Sequence, residues 1–450
     1  MKVLLIEPPI NSNVIAAGLV VLNEPLALEI IAATIPHCEV KILDMRLGLD
    51  AILMEELNSF QPEVVATTSY TAGVYTANQI LQQVKKYNPK ILTIIGGHHA
   101  TMVPEDFNKE FVDVIIIGEG EITFKELIDT YEIRGDLKKV KGLALPQNGN
   151  LYFTPPRELL SSLDLMPIPN RDLTKKYRHE YFRGSWSPSA SMVISRGCPF
   201  RCDFCAMWKI THGKYRIRTP ESVVNELMQI EEEYIDVVDD NTLHNVKKAE
   251  EIYQLIKEKG IKKKYKLYAR SDTVVKRPDI IEKWREIGLE LLLVGVESFR
   301  DEELKERNKL NFVRHNEEAI RILHENGIEM IAYFLIAPDY TEDDFNILAE
   351  YVKKMELAHP VFTVLTPFPG TDLYEKRYHE FITYNYELFD FFHPILPTKL
   401  PIEKFCQCLA ELYRKVYSSK ESQKFFSSEM VQKFYLSIIN AHEAYKVKDT

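Results

Sequence analysis

The sequence predicts two α/β parts in tandem, an open and mainly parallel sheet followed by a partial (β/α)6 barrel, and then a helical tail. Three observations predict it. Residues 1–132 alternate short apolar runs with amphipathic stretches, the pattern of strands buried on both faces. The same alternation restarts after a hairpin-like and Pro-rich stretch and gives six more strand and helix units. With 450 residues, the chain exceeds the ~250 to 300 residues at which one core stops growing.

The strands of the first part are VLLIEP, EVKILDM, VVATTSY, ILTIIGG and VDVIIIGEGE. Small residues gather where they end, at Ser69–Gly73, Gly96-Gly97 and Gly118-Glu119-Gly120. In an open parallel sheet a ligand lies outside the carboxyl ends of the strands, and glycine lets it approach the backbone. Residues 133–185 read as a linker, with a hairpin around Gln147–Asn150 and then LDLMPIPNRDL. The barrel is expected over 186–372, its strands being SMVISRG, IDVVDDN, KLYARSD, LLLVGVES, IAYFLIAP and VFTVLTPFPG. Residues 373–450, rich in aromatic and charged residues at helical spacing, are expected to form a small helical domain.

Charge and composition narrow the function. A formal net charge of -10, with Lys and Arg interspersed among Asp and Glu, does not favour a nucleic-acid surface. A small-molecule or lipid substrate fits better. The opening MKVLLIEPP runs directly into a strand and is not read as a signal peptide, so a cytoplasmic protein is expected. No stretch offers the ~20 consecutive apolar residues of a membrane span, and peripheral membrane contact stays open. Three of the six cysteines fall within eight positions, which reads as a metal site in a reducing compartment. Cys406 and Cys408, two apart on a helical stretch, do not face one ion and read with Cys38 as packing residues.

The metal site follows the first barrel strand: Cys198-Pro-Phe-Arg-Cys202-Asp-Phe-Cys205. One loop with three thiols can wrap three corners of an iron-sulfur cube, leaving the fourth iron open to an exogenous ligand. The alternative is zinc, which needs a fourth protein ligand such as His212 or a distant cysteine.

This CxxxCxxC loop, with an aromatic residue before its last cysteine, resembles the signature of the radical S-adenosylmethionine (SAM) superfamily. The resemblance implies a [4Fe-4S] cluster on Cys198, Cys202 and Cys205, with SAM chelated to the open iron. Reductive cleavage of SAM then yields a 5'-deoxyadenosyl radical that takes a hydrogen atom from substrate. An external electron donor such as flavodoxin or ferredoxin is implied. Asp239, Asp240 and Asn241 stand where the family has a Gly-Gly-Glu-like segment holding the SAM amino group; the sequence departs from the glycine form, so a backbone contact at Asp240 is expected rather than a specific side-chain role. Arg270 is placed to pair with the SAM carboxylate, or alternatively makes a surface ion pair. Glu297 and Ser298 resemble ribose-binding positions, and Glu297 could instead pair with a neighbouring Arg. PFPGTDLY, with Gly370, also looks like this superfamily.

The preceding sheet resembles the Rossmann-like cobalamin-binding domain of the B12-dependent radical SAM subfamily, through VLLIEPP, SYTAG, GGHHAT and GEGE. Its implied cobalamin contacts are Ser69, Tyr70, Thr71, Gly96, Gly97, His98, Gly118, Glu119 and Gly120. Tyr70 is the candidate for the lower face. The loop after the first strand, Glu7-Pro-Pro-Ile-Asn-Ser-Asn, lacks the histidine of Asp-x-His-x-x-Gly, and Asp44-Met-Arg-Leu-Gly48 has Arg in its place. Binding without a histidine ligand to cobalt is therefore expected. His98 and His99, being adjacent, point in different directions and do not converge on one ion.

Within the subfamily, CAMWKITHGKYRIRTPESVVNEL is most similar to the hopanoid C-3 methylase-like branch, through Trp208 and the Gly-x-Tyr-Arg run. Alternatively, Trp208 packs over the cluster while Arg216 and Arg218 orient the helix opening at Thr219-Pro220-Glu221. The expected activity is C-methylation of an unactivated carbon, with a lipid or isoprenoid as the substrate guess. A cobalamin-dependent ring-forming, oxidative or rearranging enzyme is the alternative. A non-enzymatic cobalamin carrier or sensor would leave the cysteine loop without purpose.

Overall fold

A computed structural model describes residues 1–15, 18–48, 52–418 and 427–445. The chain divides into two compact units, Met1–Val14 with Glu24–Glu180, and Ile15–Asn23 with Tyr181–Thr450.

The first unit is a seven-stranded sheet in the spatial order Glu39–Asp44, Lys2–Glu7, Val64–Thr68, Leu92–Gly96, Val114–Ile116, Leu143–Gln147 and Asn150–Phe153. The first five strands are parallel. Period-two alternation puts Val3 and Leu5 into one core with Leu28, Phe124 and Leu127. Leu4 and Ile6 enter the core on the opposite face with Leu57, Ile80 and Val84. Strand order reverses at Lys2–Glu7, which has Glu39–Asp44 on one side and Val64–Thr68 on the other, so a crevice opens at the carboxyl ends there.

The hairpin expected within the 133–185 linker is instead the antiparallel edge of this sheet. Its inner face carries Leu143 and Leu145 into the core. Asn148 and Gly149, both at positive φ, make the tight turn, which suits the twist of the paired strands. The Pro-rich stretch is also tied to this unit, since Arg171 and Arg178 pair with the buried Glu24, and Asn170 N–H donates to Glu29 O at 3.1 Å.

The second unit is a sheet of six parallel strands in sequential order: Ser189–Met192, Tyr234–Val237, Lys264–Ala269, Leu289–Glu297, Glu329–Ile336 and His359–Val364. Helices follow the strands, including Pro220–Leu227, Val246–Glu258, Val313–Glu325 and Glu342–Lys354. Thr219 caps the first of these, accepting Ser222 N–H at 3.3 Å, and Thr341 and Asp344 form a capping box on the last. The tail after residue 372, expected as a domain of its own, shares the barrel core. Helices Ile402–Val416 and Ser428–Ile439 bury Phe405, Cys406, Leu409, Tyr413, Phe434 and Ile438 in it. The physical reason is direct: one face of each helix is apolar and the last barrel strand has a free edge to cover. Residues 15–23 also join this unit, with Val21–Leu22 pairing antiparallel to Phe182–Arg183.

Candidate active site

The cysteine loop leaves the first barrel strand through Ser195 and Arg196, which pair with Ile217 and Arg216. Gly197 must be glycine: its φ is +92°, and a Cβ would lie 2.1 Å from Lys214 O. Cys198 follows, and Cys205 N–H donates to Cys202 O at 3.2 Å, folding the thiols into one loop. All six cysteines are free. Burial pushes all three loop thiols up, Cys205 to about 12. Arg270 and Lys309 pull Cys198 and Cys202 the other way, which is the field that anionic sulfur ligands require. His212, the candidate fourth zinc ligand, is exposed. Among the described residues no group of three or more His, Cys, Asp or Glu side chains is set for a single metal ion. The cubane reading asks for wider spacing than a single ion does, and the donor set of three thiols with a cationic flank fits it.

The acidic end of the second strand fastens this loop. Asp239 accepts Ile194 N–H at 2.8 Å, Ser195 N–H at 2.9 Å and the Ser195 hydroxyl at 2.7 Å. Asp240 accepts Gly197 N–H at 2.7 Å, one residue before Cys198. Next to them Asn241 is buried with neither amide atom partnered. An orphaned buried amide at a strand end beside the thiol loop is what a polar cofactor would satisfy. The sequence reading named Asn241 as part of the segment without singling it out.

Arg270, read as a SAM carboxylate partner or a surface pair, is buried and already much engaged. Its Nη2 donates to Lys309 O at 2.8 Å and Leu310 O at 3.0 Å, its Nε donates to Asp272 at 3.0 Å, and its guanidinium lies 3.7 Å over the Phe200 ring. It therefore clamps the 309–310 loop against the cysteine loop. Glu297 sits at φ +63°, a strained value for glutamate, and its carboxylate pairs with Lys309 Nζ at 2.6 Å. Gly295 makes room, since a Cβ there would lie 2.1 Å from Glu297 Oε1. The Ser298 hydroxyl donates to Glu303 at 2.6 Å and accepts Arg300 N–H. The 307–311 loop had no signal in the sequence, yet Asn308 donates to Arg201 O and Arg307 O accepts Asp203 N–H. PFPGTDLY meets the same loop, Leu373 N–H donating to Asp203 O at 2.9 Å. Trp208 lies beside Arg201 and Lys209 with its indole N–H unpartnered, while Arg218 is buried against Glu226 and Val193 O.

Below this mouth the barrel interior is hollow. Parallel register aligns Tyr268, Leu293, Ile331 and His359 in one row and Gly295, Tyr333 and Val361 in the next, with Leu335 beside Thr363 above them. These residues, with Phe204 of the cysteine loop and Glu297, line a mostly apolar cavity of about 500 Å³. Phe391, Phe392 and the tail residues Tyr413, Tyr417, Met430, Val431 and Phe434 complete its wall. That volume suits a small organic ligand.

In the first unit the carboxyl ends of three neighbouring strands carry the residues read as cobalamin contacts. Ser69 N–H donates to Gly96 O at 3.1 Å and Ser69 O accepts His99 N–H at 3.0 Å. Gly97 has φ +99°, and a Cβ would meet Thr68 Oγ1 at 2.4 Å. Tyr70 is 72% exposed and stacks on His98, with ring centroids 6.3 Å apart. The two histidines diverge: His99 is wholly buried between Thr71 Oγ1 at 3.2 Å and Asp106 at 2.8 Å, a core histidine that fixes the loop. His98 is half-buried, its pKa lowered by burial and by His99. Gly118 has φ +81° and open space where a Cβ would go, its N–H donating to Thr101 Oγ1 at 3.0 Å. Glu119 accepts Leu160 N–H at 2.8 Å, and Gly120 starts helix Gly120–Glu132. Asp44 is committed to a local turn, bonded to Arg46 N–H and to its guanidinium. An exposed aromatic shelf with glycine-lined backbone at a strand-order reversal fits a large flat cofactor.

The radical SAM superfamily pattern matches residues 192–352, and the B12 binding domain pattern matches residues 12–128. The hopanoid C-3 methylase of Methylococcus capsulatus is 31% identical over 402 residues, 88% of this chain and 76% of that protein. The anaerobic magnesium-protoporphyrin IX monomethyl ester cyclase of Cereibacter sphaeroides is 28% identical, over 82% of this chain and 62% of its own. In fold, the radical S-adenosylmethionine methyltransferase TsrM from Kitasatospora setae superposes with a TM-score of 0.71 at 16% identity, covering 99% of this chain and 98% of that one. No helix among the described residues is long and apolar enough to cross a membrane. The chain belongs to the B12-dependent radical SAM methyltransferase family, whose cofactors are a [4Fe-4S] cluster, SAM and cobalamin.

Proposed function

We propose that this enzyme methylates an unactivated carbon of a hydrocarbon-rich small molecule or lipid held in the barrel cavity. The observation that carries the reading is the cavity itself, an apolar chamber with Phe204 of the cysteine loop in its wall. In this reading Cys198, Cys202 and Cys205 ligate the cluster. Asp240, Asn241, Arg270, Glu297 and Ser298 surround SAM, chiefly by holding the loops that meet it. Ser69–Thr71, Gly96–His98 and Gly118–Gly120 receive cobalamin, with Tyr70 toward its lower face. When bound, the cluster with SAM supplies a hydrogen-abstracting radical, and cobalamin supplies the methyl group. The wall residues exclude water and fix which carbon faces the mouth. Radical abstraction needs no general base there.

An external one-electron donor such as flavodoxin or ferredoxin would reduce the cluster, and the enzyme would act in the cytoplasm. Similarity to a hopanoid methylase supports a polycyclic or isoprenoid body. Similarity to a cyclase supports the second reading, radical ring formation without methyl transfer. One experiment separates them: anaerobic reconstitution with iron, sulfide and hydroxocobalamin, then metal counting and product analysis with reductant, SAM and candidate lipids. Methylation predicts about four irons, one cobalt, and both 5'-deoxyadenosine and S-adenosylhomocysteine. Deoxyadenosine without S-adenosylhomocysteine overturns it in favour of the second reading.

A further inference from the structure

The chamber is apolar along most of its wall but not at its floor. Arg183 reaches the wall there, beside the phenols of Tyr268 and Tyr333. Its Nε is bound to Asp236, whereas Nη1 and Nη2 have no hydrogen-bond partner among the described residues. Asp236 is shared with a second buried cation, Lys266, whose Nζ lies 2.9 Å from Oδ1. Two cations thus depend on one carboxylate. Neither nearby acid relieves them: the oxygens of Asp239 are taken by Ile194 and Ser195, and Glu297 pairs with Lys309. Burial pulls Lys266 down to about 7, with Arg183 adding to the effect and Asp236 opposing it, while Asp236 keeps the Arg183 guanidinium charged. A buried guanidinium whose two Nη groups lack partners, set in an otherwise apolar cavity wall, is a costly feature unless a ligand completes it.

We propose that the substrate is an amphiphile, an apolar body ending in a carboxylate or comparable anionic oxygen, that binds head-down with the anion on Arg183 and the Tyr268 and Tyr333 hydroxyls. This rests on the chamber being the substrate site, as proposed above. It also sets a reach. Tyr268 and Tyr333 stand in the rows of Leu293 and Gly295, four and two residues below Glu297 on the fourth strand, so anchor and mouth are roughly 5 to 15 Å apart at ~3.3 Å per residue. The carbon presented to the cysteine loop is therefore several bonds from the acid group.

The test is equilibrium dialysis of the full chain against retinoic acid and retinol, one isoprenoid body with two heads. Retinoate is expected to bind at least ~10-fold more tightly, the weight of one or two charge-assisted hydrogen bonds. Arg183→Met should bring the ratio to about one with retinol affinity retained. Arg183→Lys, which keeps the charge without the fork, should keep a smaller preference and serves if the Met variant does not fold. Equal binding, binding of neither retinoid, or a preference unchanged in a folded Arg183 variant overturns the proposal. The dialysis needs no cofactor, so its failure is distinguishable from failure of the methylase reading, which shows in cobalt content and S-adenosylhomocysteine.

Discussion

At the scale of single residues, the site depends on a few positions that permit no substitute. Cys202→Ala should leave cobalamin binding intact while abolishing cluster assembly and 5'-deoxyadenosine formation, read by iron content and anaerobic turnover. A carrier protein would keep its function through that change. Gly97→Ala places a methyl group 2.4 Å from Thr68 Oγ1 and 3.0 Å from Ser69 backbone atoms at φ +99°. It should destabilise the first unit by about 1–3 kcal/mol or more, read by denaturant unfolding, and weaken cobalamin uptake measured by absorbance. The sequence placed Asp240, Arg270, Glu297 and Ser298 at strand ends, because strand periodicity and family spacing are local. It did not show their partners. Lys309 and Asn308 lie in a loop with no composition signal and Glu303 on the short helix Asp301–Glu306 before it, and only the folded chain brings them to Arg270, Arg201 O and Ser298.

At the scale of elements, the last barrel strand and the helix that covers it form one unit. Tyr413, from helix Ile402–Val416, donates to Phe362 O at 2.8 Å and accepts Phe362 N–H at 2.8 Å. Tyr413→Phe leaves two buried strand groups unsatisfied and should cost on the order of 1–3 kcal/mol, read by chemical denaturation. His359 opens the same strand, and burial pushes its pKa down to about 4. Between that value and its ordinary 6.5 the unfolded chain holds a proton that the native chain lacks. Stability is thus present above 6.5 and lost as pH falls toward 4. His359→Asn should flatten this window by up to about 3 kcal/mol, measured by unfolding at several pH values. The edge hairpin shows where sequence reasoning stops at this scale. Its turn was legible from Gln147–Asn150, but whether it stands alone or extends a sheet depends on what Leu143 and Leu145 pack against.

For the whole molecule, the ends of the strands were blurred by up to six residues, VFTVLTPFPG overrunning a strand that ends at Val364, but their number and order were readable, since each buried strand is a short apolar run. Allegiance of the flanking segments was not. Residues 15–23 and the tail join the barrel unit through distant partners, such as Ile15 N–H donating to Asp390 at 2.8 Å, and such pairings leave no periodic trace. A chain ending at residue 400 should therefore not behave as an intact barrel. It strips Phe405, Leu409 and Tyr413 from the core, and aggregation or a markedly lower thermal midpoint is the expected result in a melting assay.

The seven residues that the tail contributes to the cavity wall have a consequence for inheritance. The stretch that generates the radical lies near residue 200, while much of the surface that sorts molecules is encoded after residue 390. A lineage can therefore exchange its preferred molecule by drift in the tail while the oxygen-sensitive chemistry is passed on untouched. Chimeras joined near residue 372 would carry one relative's selectivity on another's reactivity.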